Sequence, residues 1–309
     1  MADAAEELAE LAGPAAPTAM VSTVLRWFTA TARPLPWRAP DRTAWGVLVS
    51  EFMLQQTPVD RVLPIWHEWL RRWPTPKDLA CAAESDVLRA WGRLGYPRRA
   101  RWLHLSARQI VAQHDGEVPN TQEALRALPG VGEYTAAAVC AFAYGQPTVV
   151  LDTNIRRVLV RAHEGRDLPT AHITRHERAM AARLVAAAGV EGAAWSAAVM
   201  ELGALTCRSR RPDCSSCPLQ DHCRWHADGQ PPGAQPMRRA ATYTGSDRQA
   251  RGEILACLRA HDGPIPMAMI AQAWSDQAQR ERALDTLISD GLAHAGPDGI
   301  RLGSALNRP

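Results

Sequence analysis

The chain has 309 residues, with 35 Lys and Arg against 32 Asp and Glu, a net charge of +3. That length suits one large domain or two modest ones, and so slight a basic excess neither identifies nor excludes a nucleic-acid partner; local placement of the charges must decide. No apolar run is long enough to span a bilayer, so no membrane role is expected. Residues 1–17, rich in Ala, Glu and Pro, lack the basic start and apolar centre of an export signal, and are expected to be a disordered tail on a cytoplasmic protein.

From residue 18 to about 206 the sequence predicts a succession of helices. Ala, Leu, Arg and Glu outweigh the residues that favour strands, and alternating patterns are scarce. The predicted helices lie near 18–31, 43–54, 59–72, 84–91, 98–114, 121–128, 133–143, 153–162, 172–187 and 193–206, with Pro and Gly as punctuation at Pro74-Thr75-Pro76 and Pro129-Gly130. A cysteine loop occupies 207–226. Residues 228–245, with Pro231, Pro232, Gly233, Pro236 and Gly245, read as a linker. A second unit follows at 247–303, with helices at 248–260 and 280–290, an apolar turn at Pro264-Ile265-Pro266, and two short strands within Gly291–Leu302. That order suggests a small α/β, winged-helix-like unit after a mainly α core at 18–226. Such a unit would mostly add phosphate contacts, which carry no base identity.

Two motifs carry chemistry. In Leu128-Pro129-Gly130-Val131-Gly132 two close glycines permit a hairpin between helices. The backbone amides and dipole at the start of the second helix would form an anion site suited to one DNA phosphate; an ordinary interhelical turn is the bland alternative. The second motif is Cys207-x6-Cys214-x2-Cys217-x5-Cys223. Without an export signal, crowded cysteines more often hold a metal than form disulfides. Four thiolates on one loop can bind a zinc ion or an iron–sulfur cluster, although this spacing has only one of the two close pairs that zinc favours. Arg208, Arg210, Arg211 and Arg224 outnumber Asp213 and Asp221 around it, as a loop touching phosphates would require.

The hairpin, the string Leu151-Asp152-Thr153-Asn154 and the cysteine spacing together resemble the helix-hairpin-helix base-excision glycosylase superfamily over residues 20–226. The resemblance implies that Cys207, Cys214, Cys217 and Cys223 hold a [4Fe–4S] cluster and that Pro129, Gly130, Val131 and Gly132 grip the DNA backbone. Ser50-Glu51-Phe52-Met53-Leu54-Gln55-Gln56-Thr57 and Leu35-Pro36-Trp37-Arg38 resemble the signatures of its adenine DNA glycosylase (MutY) branch. Where the endonuclease III branch has a Schiff-base lysine this chain has Tyr134, so no imine forms and the expected enzyme is monofunctional.

The implied chemistry is hydrolysis of the bond between adenine and its sugar, the adenine being mispaired with 8-oxoguanine or guanine in double-stranded DNA. Adenine leaves only when protonated. Glu51, beside an apolar stretch, would be the general acid, with a pKa raised by burial. Asp152 would stabilise the oxocarbenium-like sugar, and Tyr134 and Asn154 would orient the pair. The target base must first leave the duplex. By resemblance Leu35, Trp37, Arg38, Leu54, Gln55 and Gln56 line the pocket and intercalation region, and Tyr96 wedges beside the partner base. Taken singly, Asp152 would be a helix N-cap, Glu51 a surface acid, and Tyr96 and Leu54 plain core. The tryptophans are core by default.

Three features depart from the family pattern. Pro97 follows Tyr96 where many members have a second Tyr, and Ala197 stands where many have an adenine-facing Gln or Glu. The C-terminal unit also replaces a far larger lesion-recognising β-domain. The rival readings are a mismatch thymine or uracil glycosylase, and a non-catalytic iron–sulfur protein that binds damaged DNA. The chain is expected to act as a monomer, in the cytoplasm and on the nucleoid.

Overall fold

The computed structural model describes residues 17–233 and 242–304. Residues 1–16 of the expected disordered tail, and residues 234–241 of the linker, lie outside the described residues; Pro17, placed in that tail by the sequence, begins the first helix. The chain is mainly helical, with α1 (Pro17–Thr31), α2 (Ala44–Leu54), α3 (Val59–Arg72), α4 (Pro76–Ala80), α5 (Glu84–Trp91), α6 (Arg98–Gln113) and α7 (Gln122–Arg126). Then come α8 (Glu133–Tyr144), α9 (Thr153–Glu164), α10 (Arg175–Ala188), α11 (Gly192–Leu205) and α12 (Arg224–Ala227). The C-terminal part holds α13 (Asp247–Arg259), α14 (Met267–Ala273), α15 (Gln277–Ser289) and strands β1 (Ala293–Gly296) and β2 (Gly299–Leu302). Among the described residues no helix is long and apolar enough to cross a membrane.

Side-chain caps set several helix starts. The helix expected from residue 172 begins at Arg175, because the Thr174 hydroxyl accepts from Glu177 N at 3.1 Å while the Glu177 carboxylate accepts from Thr174 N at 2.7 Å. The same box at Thr75 and Asp78 starts α4, which the sequence reading passed over as punctuation; Pro76 sits in its first turn, where its missing N–H costs nothing. Helix α14 was also missed, its seven residues following the Pro264–Pro266 turn.

Contacts divide the chain into two units. The first takes the chain up to Val47, then Asn120–Arg126, and from Val131 to the linker. Its core lies among α1, α8, α9, α10 and α11, around Val24, Ala138, Leu159, Trp195, Val199 and Leu202. The second unit takes Leu48–Pro119, Ala127–Gly130 and the C-terminal residues. It buries Phe52, Leu79, Leu88 and Leu103 completely, and packs Trp69 edge-on against Trp73 at 4.7 Å and Trp91 at 5.6 Å. Residues 247–303 therefore group with α3–α6. In the hairpin Ala293 faces Leu302 and Gly296 faces Gly299, and Ile265 bridges to Ile300.

Candidate active site

The second unit holds Glu51, which lies on α2 at 5% exposure between Ser50 and Phe52, both at 0%. This is not the surface acid that isolated reading allows. Helix α2 ends at Leu54 and the chain turns through Gln55, Gln56 and Thr57. Gln56 and Tyr96 both have left-handed backbones, φ 56° and 47°. For residues bearing a side chain such conformations cost about 1–3 kcal/mol and persist only where the surroundings fix them. Tyr96 is 50% exposed, so it is not core.

Both turns are fixed by Arg99, which the sequence reading missed. Its Nη1 donates to the carbonyls of Phe52 (2.9 Å), Met53 (2.9 Å) and Gln55 (2.6 Å), and its Nη2 to Thr57 Oγ1 (2.9 Å) and Gly95 O (3.2 Å). The guanidinium thus satisfies the last carbonyls of α2 and ties them to the Tyr96 turn. Burial lowers its pKa to about 10, opposed by Tyr96, and it remains charged at neutral pH. Arg99→Met should leave several buried carbonyls without partners and cost about 3–5 kcal/mol. Urea unfolding of the variant would check this, and an unchanged midpoint would remove Arg99 from this role.

The hairpin is locally determined. Gly130 has φ 79°, and a Cβ there would lie 2.7 Å from Trp102 Cβ, so both conformation and space demand glycine. Pro129 O accepts from Ser106 Oγ at 2.8 Å, and Leu128 is buried. Past the boundary between the units, Val131 is buried and Gly132 is the N-cap of α8, with no side-chain cap bond. The one acid in that first turn, Glu133, is neutralised by Arg178.

In the first unit Asp152 is the N-cap of α9, as isolated reading allowed. One oxygen accepts from Ile155 N at 2.6 Å and the other from Asn154 Nδ2 at 2.8 Å. Burial raises its pKa against these bonds. Asn154 Oδ1 in turn accepts from Arg157 Nη2 at 2.8 Å, and Arg157 also donates to Gly203 O (2.6 Å) and Cys207 O (2.7 Å). A hydrogen-bonded chain therefore runs from the carboxylate to the start of the cysteine loop. Gly203 is required where α11 meets α9, since a Cβ would lie 2.7 Å from Asn154 Cβ. Tyr134 is half-buried against the same core.

Leu35 and Trp37 are buried, and Arg38 turns its Nη2 to Glu201 Oε2 at 3.1 Å. Arg33 grips the same carboxylate through Nε and Nη2, both at 2.7 Å. Burial alone would raise the Glu201 pKa, but these bonds outweigh it and hold it at about 2. Ala197, half-buried on the same helix, supplies no polar group.

All four loop cysteines line one small pocket with Arg161, Gln220, Trp225 and His226, partly open to solvent. Among the described residues no group of three or more His, Cys, Asp or Glu side chains could hold a metal ion. The donors around the thiols are nevertheless in place. Arg161, 1% exposed, donates to Cys207 Sγ at 3.4 Å and lies over Trp225, and Gln230 Nε2 donates to Cys214 Sγ at 3.2 Å. Burial pushes the Cys217 thiol up to about 12. Burial pushes the Cys214 and Cys223 thiols up as well, and the buried guanidinium suits an anionic Cys₄ group. Arg208, Arg210, Arg211 and Arg224 are exposed.

The first unit brings Asp152 to Asn154, and Arg38 to Glu201. The second joins the Leu54–Gln56 turn to the Tyr96 turn through Arg99. The two carboxylates lie in different units.

Residues 49–183 match the family described as HhH-GPD superfamily base excision DNA repair protein. The fold is that of this superfamily: it resembles a thermostable thymine-DNA glycosylase (TM-score 0.61, 25% identity, 69% of this chain and 97% of that one) and endonuclease III in a DNA complex (TM-score 0.58, 21% identity, 68% and 94%). Among curated proteins the chain is 49% identical to the adenine DNA glycosylase of Mycobacterium tuberculosis over 90% of this chain and 91% of that one, and 49% identical to that of Mycolicibacterium smegmatis over 89% and 93%. The human adenine DNA glycosylase is 41% identical over 67% of this chain and 39% of its own length. The chain belongs to the adenine DNA glycosylase family.

Proposed function

We propose that this protein is a monofunctional glycosylase of base excision repair that removes adenine mispaired with 8-oxoguanine or guanine in duplex DNA. The observation that carries the reading is the pair of acids, Glu51 buried on α2 and Asp152 fixed at the start of α9, in a member of this family. Glu51 supplies the proton that makes adenine a leaving group, and Asp152 faces the charge that develops on the sugar. Asn154 holds Asp152 in place, and Tyr134, packed on the same core as α9, is assigned to help orient it. The uncapped start of α8 offers its amides to one phosphate, and the Leu54–Gln56 and Tyr96 turns meet the opened duplex. The protein works on DNA as a monomer. The experiment is single-turnover incubation with duplexes carrying adenine opposite 8-oxoguanine or guanine, and thymine or uracil mispairs, followed by alkali. Breaks at adenine are expected; breaks confined to thymine or uracil would support the rival glycosylase, and none at all the non-catalytic binder.

The half-buried Tyr134 has no amine to form an imine. Borohydride should therefore trap little protein on DNA, and Tyr134→Lys should create some trapping and strand nicking. Efficient trapping by the unmodified chain would place it among bifunctional enzymes.

We further propose that Cys207, Cys214, Cys217 and Cys223 hold a [4Fe–4S] cluster. The shared pocket, the N–H donors to sulfur and the buried Arg161 support this. The purified protein should be brown, with iron and sulfide approaching about four per chain. Stoichiometric zinc without broad visible absorption would contradict it.

The C-terminal helices and hairpin, with the Ile265 bridge, support a winged helix. Its last helix, α15, is poorly equipped to hold phosphates. Arg282 is paired with Asp247, Arg280 donates to Trp274 O and Ser275 O, and Glu281 and Asp285 are exposed.

A further inference from the structure

The turn that carries Tyr96 is held by its carbonyls. Four in succession accept from side chains: Gly92 O from Arg259 Nη1 at 2.6 Å, Arg93 O from Arg61, Leu94 O from Thr57 Oγ1 at 3.3 Å, and Gly95 O from Trp91 Nε1 at 2.9 Å and Arg99. Gly92, Gly95 and Tyr96 all have positive φ, which the two glycines adopt freely and which strains only Tyr96, so the bonds beside it help to fix that residue's conformation. Three of the four carbonyls are held by the α3–α6 region itself. The fourth is held from the C-terminal module, by the last residue of α13.

Arg259 is unusual in its own surroundings. Its Nε and Nη2 are buried and find no hydrogen-bond partner among the described residues. A buried guanidinium with one bonded arm is a poor packing device, because an apolar side chain would fill the space without the desolvation cost. Docking of the module does not need it. Arg89 reaches Arg259 O (3.2 Å) and His261 O (2.7 Å), Ser304 reaches Glu84 at 2.6 Å, and Arg98 reaches Asp290 at 3.3 Å. What Arg259 does that these contacts do not is fix the first carbonyl of the Tyr96 turn.

We propose that the C-terminal module serves the DNA site through Arg259, a positioning residue that holds the Gly92–Gly95 turn so that Tyr96 is presented to the duplex. The ligand class is a duplex opened beside the partner base, and the module acts on it through the turn instead of through its own phosphate contacts. The inference rests on the proposed wedge role of Tyr96.

The test uses the full chain carrying Glu51→Gln, so that no base is released, and a duplex with 2-aminopurine beside the partner base. Its fluorescence rises when neighbouring bases unstack. Tyr96→Ala should lose most of the rise. Arg259→Met should lose it several-fold, with affinity for undamaged duplex unchanged, and Arg259→Lys, which keeps a donor, should restore much of it. Ser304→Ala loosens the docking but touches neither Arg259 nor any of the four carbonyls, and should behave as the parent does. Thermal unfolding of each variant shows that it is folded. Parent-like fluorescence in a folded Arg259→Met chain would overturn the proposal, as would an equal loss in Ser304→Ala. A parent-like rise in Tyr96→Ala would overturn the wedge assignment and the proposal with it. Failure of the glycosylase reading itself would show separately, as absence of adenine release by the chain with Glu51 intact.

Discussion

Glu51→Gln is expected to abolish adenine release while leaving duplex binding nearly intact. Gln fills the same space at a position only 5% exposed, so the variant should fold. What it loses is the proton. Adenine is a poor leaving group until a ring nitrogen is protonated, and an amide cannot donate in that way at neutral pH. Proton transfer by a positioned acid contributes typically about 10²–10⁴-fold, and with no other route to a neutral leaving group the loss should reach the upper end or beyond. Single-turnover excision and gel-shift titration on the same duplex separate the two quantities. Near-normal excision would mean that another group is the acid; loss of binding alongside excision would mean that Glu51 supports the DNA surface.

Asp152→Asn is expected to slow excision by at least about 10²–10³-fold, the cost of removing one preorganised group that stabilises developing charge. Asn remains a good N-cap, so α9 should start where it does now. The pH dependence follows from the raised pKa. Burial, acting against the bonds from Ile155 and Asn154, makes Asp152 take up a proton at a higher pH than an ordinary aspartate. Only the ionised form faces the sugar cation, so the rate should fall on the acidic side earlier than an ordinary aspartate would predict, and Asp152→Asn should lose that limb. Linkage gives the sign for stability. A carboxylate pKa raised by folding means that the ionised group costs stability above its folded pKa, and that this cost is relieved as pH falls through it. At neutral pH Asp152→Asn should therefore unfold at the same or higher urea concentration, while being far slower. A variant that is both slow and clearly less stable would point to a structural role alone.

Much of this site was legible in the sequence because its parts are local. The hairpin needs glycine at Gly130 for φ, a demand local to the turn that the sequence shows, and for space against Trp102 and Phe52, which only the fold supplies. Asp152-Thr153-Asn154 is a cap followed by its clamp, again a local event. Helix ends depended on reciprocal bonds at Thr75 and Thr174, which pattern alone blurred, so one short helix was missed and another began late. The arginines were the larger omission. Arg99, Arg157, Arg161 and Arg259 look like surface charge in a helical sequence, yet each is drawn inward by backbone carbonyls that only the fold brings near. The same is true of Glu201, which sits in an apolar helix stretch and is neutralised by Arg33 and Arg38 from 168 and 163 residues away.

The measurement that bears most directly on the account is recovery of the free base. A duplex with isotopically labelled adenine opposite 8-oxoguanine, incubated with excess protein, should release free adenine in step with alkali-labile sites and with few strand breaks before alkali. Strand breaks without alkali at the rate of base release, or no free adenine from a chain that binds the duplex, would contradict it.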